Sequence, residues 1–416
     1  MAVSKEKKLL PKLRFPSYYT NWEMKRIEEC FVFKNGLNKE KEYFGKGTPI
    51  INFNDVYHLS GINKSDVNGL VKLSISEKER FAAKKGEVFF TRTSETIDDI
   101  GMAAVLLEEI EDCVFSGFVL RATPITEDLD LFFKKYCFSI YSVRKEIVTK
   151  SSMTTRALTS GTLLNKVQFC FPKDKLEQQK IASFLTAVDT KIQQLIKKKN
   201  LLEGYKKGIM QRLFKQEIRF KKDDGSNYPN WEEKKLGEIS NVKDGTHDSP
   251  KYVEVGHPLI TSKNLNSNGT LNNENISFIS DKDFENINKR SKVDIGDIIF
   301  GMIGTIGNPV LVIRDDFAIK NVALIKEKKL LLNKFLIHYL DSNLILKQFH
   351  KENTGGTQKF LSLGVIRNLI ISNPNLEEQQ KIATFLSGLD KKIELVNTQL
   401  EQTKTFKKGL LQQLFV

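Results

Sequence analysis

The side chains that most often carry out chemistry are scattered along this sequence. Its 4 cysteines contain no Cys-x-x-Cys pair, and none of its 5 histidines lies at a metal-ligand spacing, so we expect no metal site. No histidine has a convincing nucleophile partner either, and a lone histidine is usually structural. We therefore expect no catalytic residue in this chain.

A nucleotide-binding loop is not indicated. The glycine-rich stretch FGMIGTIG, residues 300–307, runs on into Asn308, Pro309 and a β-type segment, so no helix follows whose N-terminus could bind a phosphate. A nuclease with scattered acidic residues is one alternative, but no matched cluster of acids and lysines recurs in both halves. These observations favour a binding or assembly protein with no cofactor of its own.

The basic excess of the chain points to an acidic partner. The 65 Lys and Arg outnumber the 51 Asp and Glu, and the net charge of +14 suits nucleic acid. The excess is uneven, because residues 172–222 hold 14 basic and 5 acidic side chains whereas residues 223–373 hold 19 of each. No apolar run approaches the ~18–20 residues of a membrane span, so we expect a soluble cytoplasmic protein.

One helical sequence motif occurs twice in the chain. The stretch EQQKIASFL at residues 177–185 returns as EQQKIATFL at residues 378–386, and overlaying 177–214 on 378–415 gives 17 identities in 38 positions. Each copy has Asp174 or Asn375 as a candidate N-cap, with a glutamate three residues later. That spacing predicts a capping box at the start of two equivalent helices.

The apolar residues of each copy follow alternating steps of four and three, which predicts two long helices with a coiled-coil seam. Parallel pairing in the register of the repeat would place Lys206 beside Lys407, a like-charge pair. We therefore predict antiparallel pairing in which facing residue numbers add to about 595. The alternative is a pair of amphipathic helices, each buried on its own domain. The predicted seam residues are Ile181, Leu185, Val188, Ile192, Leu195, Leu202, Ile209, Leu213, Ile382, Leu386, Leu389, Ile393, Val396, Leu400, Leu410 and Leu414.

The segments before the two helices also look duplicated. TNWEMKRIEE from Thr20 resembles PNWEEKKLGE from Pro229, and short β-type runs such as EVFF and DIIF alternate with Asn- and Gly-rich loops. The predicted fold class is α+β, with two similar mixed α/β domains and two long helices paired as an antiparallel, pseudo-twofold coiled coil. The predicted segments are domain 1–171, helix 172–216, domain 217–373 and helix 374–416.

Two domains, each followed by an EQQKIAxFL helix that ends in KKGxxQxLF, resemble the DNA-specificity subunit of type I restriction-modification enzymes. The second domain strengthens the resemblance through NWEEKKLGEI and through DGTH at residues 244–247. The first domain departs from it, having KNGLNKE at residues 34–40 instead. The likeness extends over nearly the whole chain.

This resemblance implies a non-catalytic protein whose two target-recognition domains each read one half of an asymmetric, bipartite DNA target. It implies that the helices act as a spacer and dock two methyltransferase (M) subunits, which restriction (R) subunits then join. S-adenosylmethionine would belong to the M partner and ATP with Mg to the R partner. The competing interpretation is a coiled-coil scaffold whose domains bind other proteins without reading DNA.

The expected DNA contacts lie in loops that share a place in both halves. Arg and Lys suit guanine or phosphate, Gln and Asn suit adenine, and Thr suits phosphate or a thymine methyl group. Because residues 223–373 carry no net charge, we expect the chain alone to bind DNA weakly. The candidates are Thr91, Arg92, Thr93, Thr155, Arg156, Thr159, Lys243, Gly245, Thr246, His247, Lys263, Asn264, Thr305, Gln358, Lys359 and Ser362.

Overall fold

The computed structural model describes residues 9–352 and 360–416. The chain divides into two compact units: the first consists of Met1–Ile196 with Thr398–Val416, and the second of Lys197–Asn397. Both divisions fall inside a long helix, so each unit contains part of both long helices. Two units of mixed sheet and helix, with paired long helices, confirm the predicted α+β class.

The first unit is built around a five-stranded sheet of order β2-β10-β6-β8-β4. Buried aliphatic and aromatic side chains such as Phe89, Val105 and Phe115 fill its core. Smaller sheets of order β5-β3-β9, β11-β12-β7 and β1-β13 lie around it. The strands are β1 Glu23–Arg26, β2 Phe31–Asn35, β3 Phe44–Ile51, β4 Gly61–Ile62, β5 Gly69–Val71, β6 Val88–Thr91, β7 Thr93–Ser94, β8 Ala103–Leu106, β9 Val114–Phe115, β10 Val119–Pro124, β11 Ser152–Met153, β12 Ala157–Leu158 and β13 Gln168–Phe171. The helices that begin in this unit are α1 Phe53–His58, α2 Ile75–Phe81, α3 Lys134–Cys137, α4 Tyr141–Lys150, α5 Gly161–Asn165 and α6 Lys175–Phe214.

The second unit repeats this plan with two four-stranded sheets of order β15-β22-β19-β20 and β16-β18-β17-β21, and with the pair β14-β23. Phe300, Phe335 and Tyr339 are among the large side chains of its main core. The strands are β14 Glu232–Lys235, β15 Asn241–Asp244, β16 Tyr252–Val253, β17 His257–Ile260, β18 Ser277–Ile279, β19 Ile298–Gly301, β20 Gly307–Leu311, β21 Ala318–Ile319, β22 Val322–Lys326 and β23 Ile370–Asn373. The helices are α7 Leu236–Ile239, α8 Asp281–Ser291, α9 Asn333–Leu340, α10 Asn343–Glu352, α11 Leu363–Arg367 and α12 Leu376–Gln413.

The two long helices pair antiparallel within each unit. In the first unit Lys407 Nζ lies 2.6 Å from Asp189 Oδ1. In the second unit Lys206 Nζ lies 2.5 Å from Asp390 Oδ1, and Lys199 Nζ donates to Asn397 Oδ1 at 2.9 Å. Each pair of residue numbers adds to 596, so the predicted direction and register are confirmed.

The predicted seam is buried over most of its length. In the second unit, part of it also joins the domain core, where Leu213, Leu386 and Leu389 pack in one cluster with Phe335. The helices therefore contact each other and the domain, which combines the two predicted alternatives. The buried members are Ile181, Leu185, Val188, Ile192, Leu195, Leu213, Ile382, Leu386, Leu389, Val396, Leu400, Leu410 and Leu414. The partly buried members are Leu202, Ile209 and Ile393.

The helix starts use the predicted caps but not the predicted capping boxes. Leu176 N donates to Asp174 Oδ1 at 2.8 Å, and Glu378 N donates to Asn375 Oδ1 at 3.0 Å. The glutamates of the predicted boxes, Glu177 and Glu378, instead face the interior with fully buried side chains. The capping-box prediction is wrong because a stronger, charged partner from a distant segment binds each carboxylate.

In the first unit that partner is Arg14. Its Nε and Nη2 donate to the two carboxylate oxygens of Glu177 at 2.7 and 2.8 Å, and the indole Nε1 of Trp22 adds a third hydrogen bond at 3.3 Å. A bidentate guanidinium satisfies both oxygens of a carboxylate at once. This Arg-Trp clamp fixes the start of α6 to the segment that precedes β1.

The second unit contains the same clamp made by a different part of the chain. Arg219 Nε and Nη2 donate to Glu378 at 3.1 and 2.7 Å, and Trp231 Nε1 donates at 2.9 Å. The glutamine that follows each glutamate is buried as well. Gln178 donates to the carbonyl of Pro172 at 2.8 Å, and Gln379 donates to that of Pro374 at 2.9 Å. The glutamate and the first glutamine of each EQQ motif therefore fix the start of a long helix to its own domain.

Both ends of the described chain meet in the first unit. Leu13 N donates to the carbonyl of Gln413 at 2.8 Å. Phe415 packs edge-on against Trp22, with ring centroids 5.9 Å apart, and stacks on Phe133 at 5.5 Å. Residues 413–415 are thus joined to the first unit by a backbone hydrogen bond and by the aromatic cluster of Trp22, Phe133 and Phe415.

We expect the clamps to contribute strongly to stability. Arg14→Ala leaves the Glu177 carboxylate buried without its guanidinium, a change that costs about 3–5 kcal/mol in the free energy of unfolding. The chain has 2 tryptophans, and each lies in one clamp. Fluorescence of Trp22 during urea unfolding, in a Trp231→Phe background, therefore measures the first clamp.

Arg26→Ala is the matched control, because the Arg26–Glu28 ion pair is mostly exposed and its loss should change the free energy by under about 1 kcal/mol. If Arg14→Ala and Arg26→Ala unfold at the same urea concentration, the clamp carries no such role.

The antiparallel register can be tested by charge exchange. Asp189→Lys places a second cation beside Lys407 and should destabilise the first unit, whereas Asp189→Lys with Lys407→Asp restores an opposite-charge pair. We expect a coupling energy of about 0.5–3 kcal/mol from a double-mutant cycle on urea unfolding. A coupling energy of zero would contradict this contact.

Candidate nucleic-acid interface

Each unit contains a loop crossing with the same backbone hydrogen bonds. In the second unit Thr246 N donates to Ile319 O at 3.0 Å, and Asn321 N donates back to Thr246 O at 3.2 Å. We name residues 244–247 together with 319–321 the second crossed turn. Gly245 is required here because a Cβ would lie 2.5 Å from Ile319 O.

The first unit repeats the crossing with other residues. Leu37 N donates to Phe115 O at 2.9 Å, and Gly117 N donates back to Leu37 O at 2.7 Å. We name residues 35–38 together with 115–117 the first crossed turn. Gly36 fills the place of Gly245, since a Cβ there would lie 2.1 Å from Ser116 O.

A lysine braces each crossed turn from the preceding strand. Lys34 Nζ donates to the backbone carbonyl of Arg80 at 2.6 Å, and Lys243 Nζ donates to that of Arg290 at 3.3 Å. Arg80 and Arg290 each stand at the C-terminal end of a helix, six residues before Gly86 and Gly296. The two units thus place an arginine at the same position beside the same turn.

The side chains of the second crossed turn form a charged cluster. The buried carboxylate of Asp244 binds His247 Nε2 at 2.8 Å through Oδ2 and the guanidinium of Arg290 through Oδ1. His247 Nδ1 lies 2.9 Å from Asn321 Oδ1. The side chains of His247 and Arg290 are 54% and 64% exposed, so one buried carboxylate holds an outward-facing imidazole and an outward-facing guanidinium.

The pKa values in this cluster follow from those contacts. The hydrogen bond that His247 donates to Asp244, and then the one it donates to Asn321, raises the pKa of His247 above its usual value. Burial opposes ionisation of Asp244, but the hydrogen bond from His247 and the charge of Arg290 outweigh it and lower the pKa of this carboxyl. Both shifts favour the charged forms at neutral pH.

The first crossed turn carries neutral groups at the corresponding places. Asn35 and Asn38 are exposed, and the amide oxygen of Asn38 lies over Gly117. The next residue, Phe118, has 64% of its surface exposed, and its carbonyl accepts a hydrogen bond from Arg92 N at 3.0 Å. Exposed amides therefore stand where the second unit has Asp244 and His247, and an exposed aromatic ring directly follows the turn.

The structure brings the first unit's predicted DNA contacts together in part. Pairing of β12 with β7 and the bond from Thr159 N to Arg92 O at 3.0 Å join the two loops that hold them. Thr91 and Thr159 are buried, so their side chains cannot reach a base edge. Arg92 and Thr93 are half-buried, and Thr155 and Arg156 are exposed.

In the second unit the predicted Gly245, Thr246 and His247 all lie in the second crossed turn, and Lys243 directly precedes it. Lys263 is exposed in the neighbouring 3₁₀ turn Ser262–Asn264, which is tied to the crossed turn because Ser262 Oγ donates to Asn321 O at 3.2 Å.

Three other predicted DNA contacts of this unit lie outside the second crossed turn. Asn264 is buried and accepts from Thr261 N at 3.0 Å, whereas Thr305 is exposed in the turn between β19 and β20. Ser362 caps α11 through Val365 N at 3.2 Å. The predicted contacts Gln358 and Lys359 lie outside the described residues.

Sequence inspection missed Arg290 and Asn321. The internal repeat could have revealed Arg290, because matching Gly86 to Gly296 places it over Arg80. Asn321 belongs to no periodic sequence pattern. Its positive φ of 56° is seen only in the folded structure.

Two negative findings concern the described residues alone. Within 9–352 and 360–416, no group of three or more His, Cys, Asp or Glu side chains could hold a metal ion. In the same part of the chain, no helix is long and apolar enough to cross a membrane.

Comparisons with known proteins agree on one family. The family model described as "Type I restriction modification DNA specificity domain" matches residues 19–203 and again residues 228–405. The type I restriction enzyme MjaVIII specificity subunit of Methanocaldococcus jannaschii is 28% identical over 58% of this chain and 60% of its own length. The putative type I restriction enzyme MjaX specificity subunit of the same organism is 23% identical over 95% and 92%.

A solved structure shares the fold. The crystal structure of a type I restriction-modification system S subunit from M. genitalium superposes with a TM-score of 0.61, at 18% identity, over 98% of this chain and 99% of that one. The two family matches cover most of the chain, one in each half. The chain therefore belongs to the type I restriction-modification DNA specificity family.

Proposed function

We propose that each unit of this specificity subunit reads one half of an asymmetric, bipartite DNA target. The observation that carries the proposal is the crossed turn, which is held by two equivalent backbone hydrogen bonds in both units but has different exposed side chains. A shared frame gives both units one mode of approach to DNA, and different side chains give them different base preferences. Residues 1–171 and 217–373 are the proposed target-recognition domains.

The proposed contact set consists of exposed or half-exposed polar groups near the two turns. In the first unit these are Arg92, Thr93, Thr155 and Arg156. In the second unit they are Thr246, His247 and Lys263. The predicted residues that are buried or that brace the backbone have a supporting role instead. They are Thr91, Thr159, Lys243, Gly245 and Asn264.

The paired long helices are the proposed spacer and the proposed docking surface for two methyltransferase subunits. Residues 172–216 and 374–416 include both helices, and each helix contributes residues to both units. Restriction subunits would join this core. Catalysis, S-adenosylmethionine and ATP would then belong to the partners, and the complex would work on cytoplasmic DNA.

The EQQKIAxFL stretch can dock a partner only through part of its surface. Glu177 and Gln178, and likewise Glu378 and Gln379, are buried against their own domain. Exposed positions such as Gln179 and Lys180 remain available to a partner.

A protein-binding scaffold is the competing function. A scaffold would need no difference in charge between the two crossed turns. The methylation pattern of host DNA would then not depend on this chain, so mapping methylated adenines separates the two functions.

Replacing residues 223–373 with the corresponding segment of a relative that has a different target should change one half of the recognised sequence. The chain is co-expressed with its methyltransferase partner, and methylated adenines are mapped in host DNA. We expect a bipartite motif whose other half is unchanged, because residues 1–171 are intact. The unmodified chain serves as the control, and an unchanged motif after the exchange would contradict the proposal.

The chain alone should bind its target DNA weakly and with strong salt dependence. Residues 223–373 carry 19 basic and 19 acidic side chains, so few phosphates can be neutralised without the partner. Fluorescence anisotropy with labelled duplex, at 50 and 200 mM salt, should show tighter and less salt-sensitive binding once the methyltransferase is added. Tight, salt-resistant binding by the chain alone would count against this division of labour.

A further inference from the structure

The two crossed turns differ at a small number of side chains. Asn35 and Asn38 of the first unit correspond to Asp244 and His247 of the second, since each pair begins and ends the same loop. Two backbone hydrogen bonds hold both turns in the same way, through Leu37 in the first and Thr246 in the second. We therefore attribute a difference in what these turns recognise to the side chains.

The arginine beside each turn is held differently. The Arg80 guanidinium lies over the ring of its neighbour Phe81, with its central carbon 5.4 Å from the ring centroid. Arg290 instead donates from Nη2 to the buried Asp244 carboxylate, while 64% of its side chain stays exposed. The carboxylate binds one part of the planar guanidinium and so orients the other donors toward solvent.

Asp244 itself is fixed by three independent constraints. Its backbone pairs with Ala323 across β15 and β22, its Oδ2 binds His247, and its side chain is only 10% exposed. His247 is fixed in turn by Asn321, whose left-handed backbone places its amide oxygen 2.9 Å from Nδ1. The orientation of Arg290 is thus set before any ligand arrives, which lowers the entropic cost of binding.

We propose that the second crossed turn reads a guanine of its half-site through Arg290, with His247 as a neighbouring donor and Asp244 as the positioning residue. The inference rests on the proposed function and adds the base and the residue that reads it. Guanine is the base that presents two acceptors, N7 and O6, to a guanidinium in the major groove. A carboxylate-anchored arginine offers donors and no acceptor, so adenine, whose major-groove edge includes a donor, is disfavoured.

The first crossed turn supplies the internal contrast. Its exposed amides each offer both a donor and an acceptor, which is the pattern that matches adenine. Exchanging the side chains between the turns should therefore change base preference without changing the backbone. Asp244→Asn with His247→Asn installs the first unit's side chains in the second turn.

The test uses the full chain co-expressed with its methyltransferase partner, and methylated adenines are mapped in host DNA. Arg290→Gln should reduce discrimination for guanine at one position of the second half-site by a factor of about 5 to 150, the range for losing one bidentate contact. The Asp244→Asn, His247→Asn double variant should relax the same position. Arg314→Gln, which removes an exposed arginine of the same unit that pairs with Asp316, is the matched control and should leave the motif intact.

Folding and function are separated by two further measurements. Thermal unfolding checks that each variant is folded, and Arg290→Lys keeps the positive charge while losing the planar fork. Relaxed preference in Arg290→Lys supports recognition by geometry, and it answers the question if Arg290→Gln does not fold. Relaxation confined to one position, with the other half-site unchanged, also distinguishes positioning by Asp244 from a structural role.

Three outcomes would overturn the inference. One is a guanine preference in Arg290→Gln equal to that in Arg314→Gln, and another is retention of the preference in Arg290→Lys. The third is loss of all methylation by a folded Arg290→Gln protein, since that would indicate a general role. Failure of the proposed function itself would look different, because the unmodified chain would then direct no bipartite motif at all.

Discussion

The structure depends on two carboxylates that are kept out of water. Glu177 and Glu378 are fully buried at the starts of the two long helices. Each is neutralised by an arginine and hydrogen-bonded by a tryptophan, both from the segment that precedes the first strand of its unit. A buried charge is tolerated only when its partner is in place. The helix and the segment that precedes the first strand of its unit must therefore assemble together.

The same design principle operates at the second crossed turn on a smaller scale. Asp244 is a buried anion that orients an exposed imidazole and an exposed guanidinium, as Glu177 orients Arg14 toward the interior. In one case the fixed charge builds the fold, and in the other it shapes a surface. The difference lies in solvent access, because Arg14 is nearly buried whereas Arg290 is mostly exposed.

The sequence allowed the helix pairing to be predicted almost to the residue. Lys206 and Lys407 interrupt an otherwise apolar seam, and electrostatic repulsion excludes the arrangement that would bring them together; the observed partners, Asp390 and Asp189, lie one residue from the predicted contacts. Periodicity reports which face is buried. It does not report what lies opposite. The pattern therefore predicts capping boxes for both glutamates, whereas the arginine partners lie 163 positions from Glu177 and 159 positions from Glu378.

The candidate surface was predictable only in part, for the same reason. DGTH identified Asp244 to His247, but the residue that completes the cluster, Arg290, arrives from the end of α8, 46 positions further along the chain. Loop residues such as Thr91 and Thr159 looked polar and exposed in the sequence, yet strand pairing buries them. Local composition cannot distinguish a loop tip from the last residue of a central strand.

The meeting of residues 13 and 413 has a consequence for the order of folding during synthesis. The second unit is continuous, from Lys197 to Asn397, so it can complete its core as soon as that segment has left the ribosome. The first unit needs Thr398–Val416, including Phe415 against Trp22 and Phe133. Although domains generally fold in the order in which they are made, here the unit that is begun first is completed last.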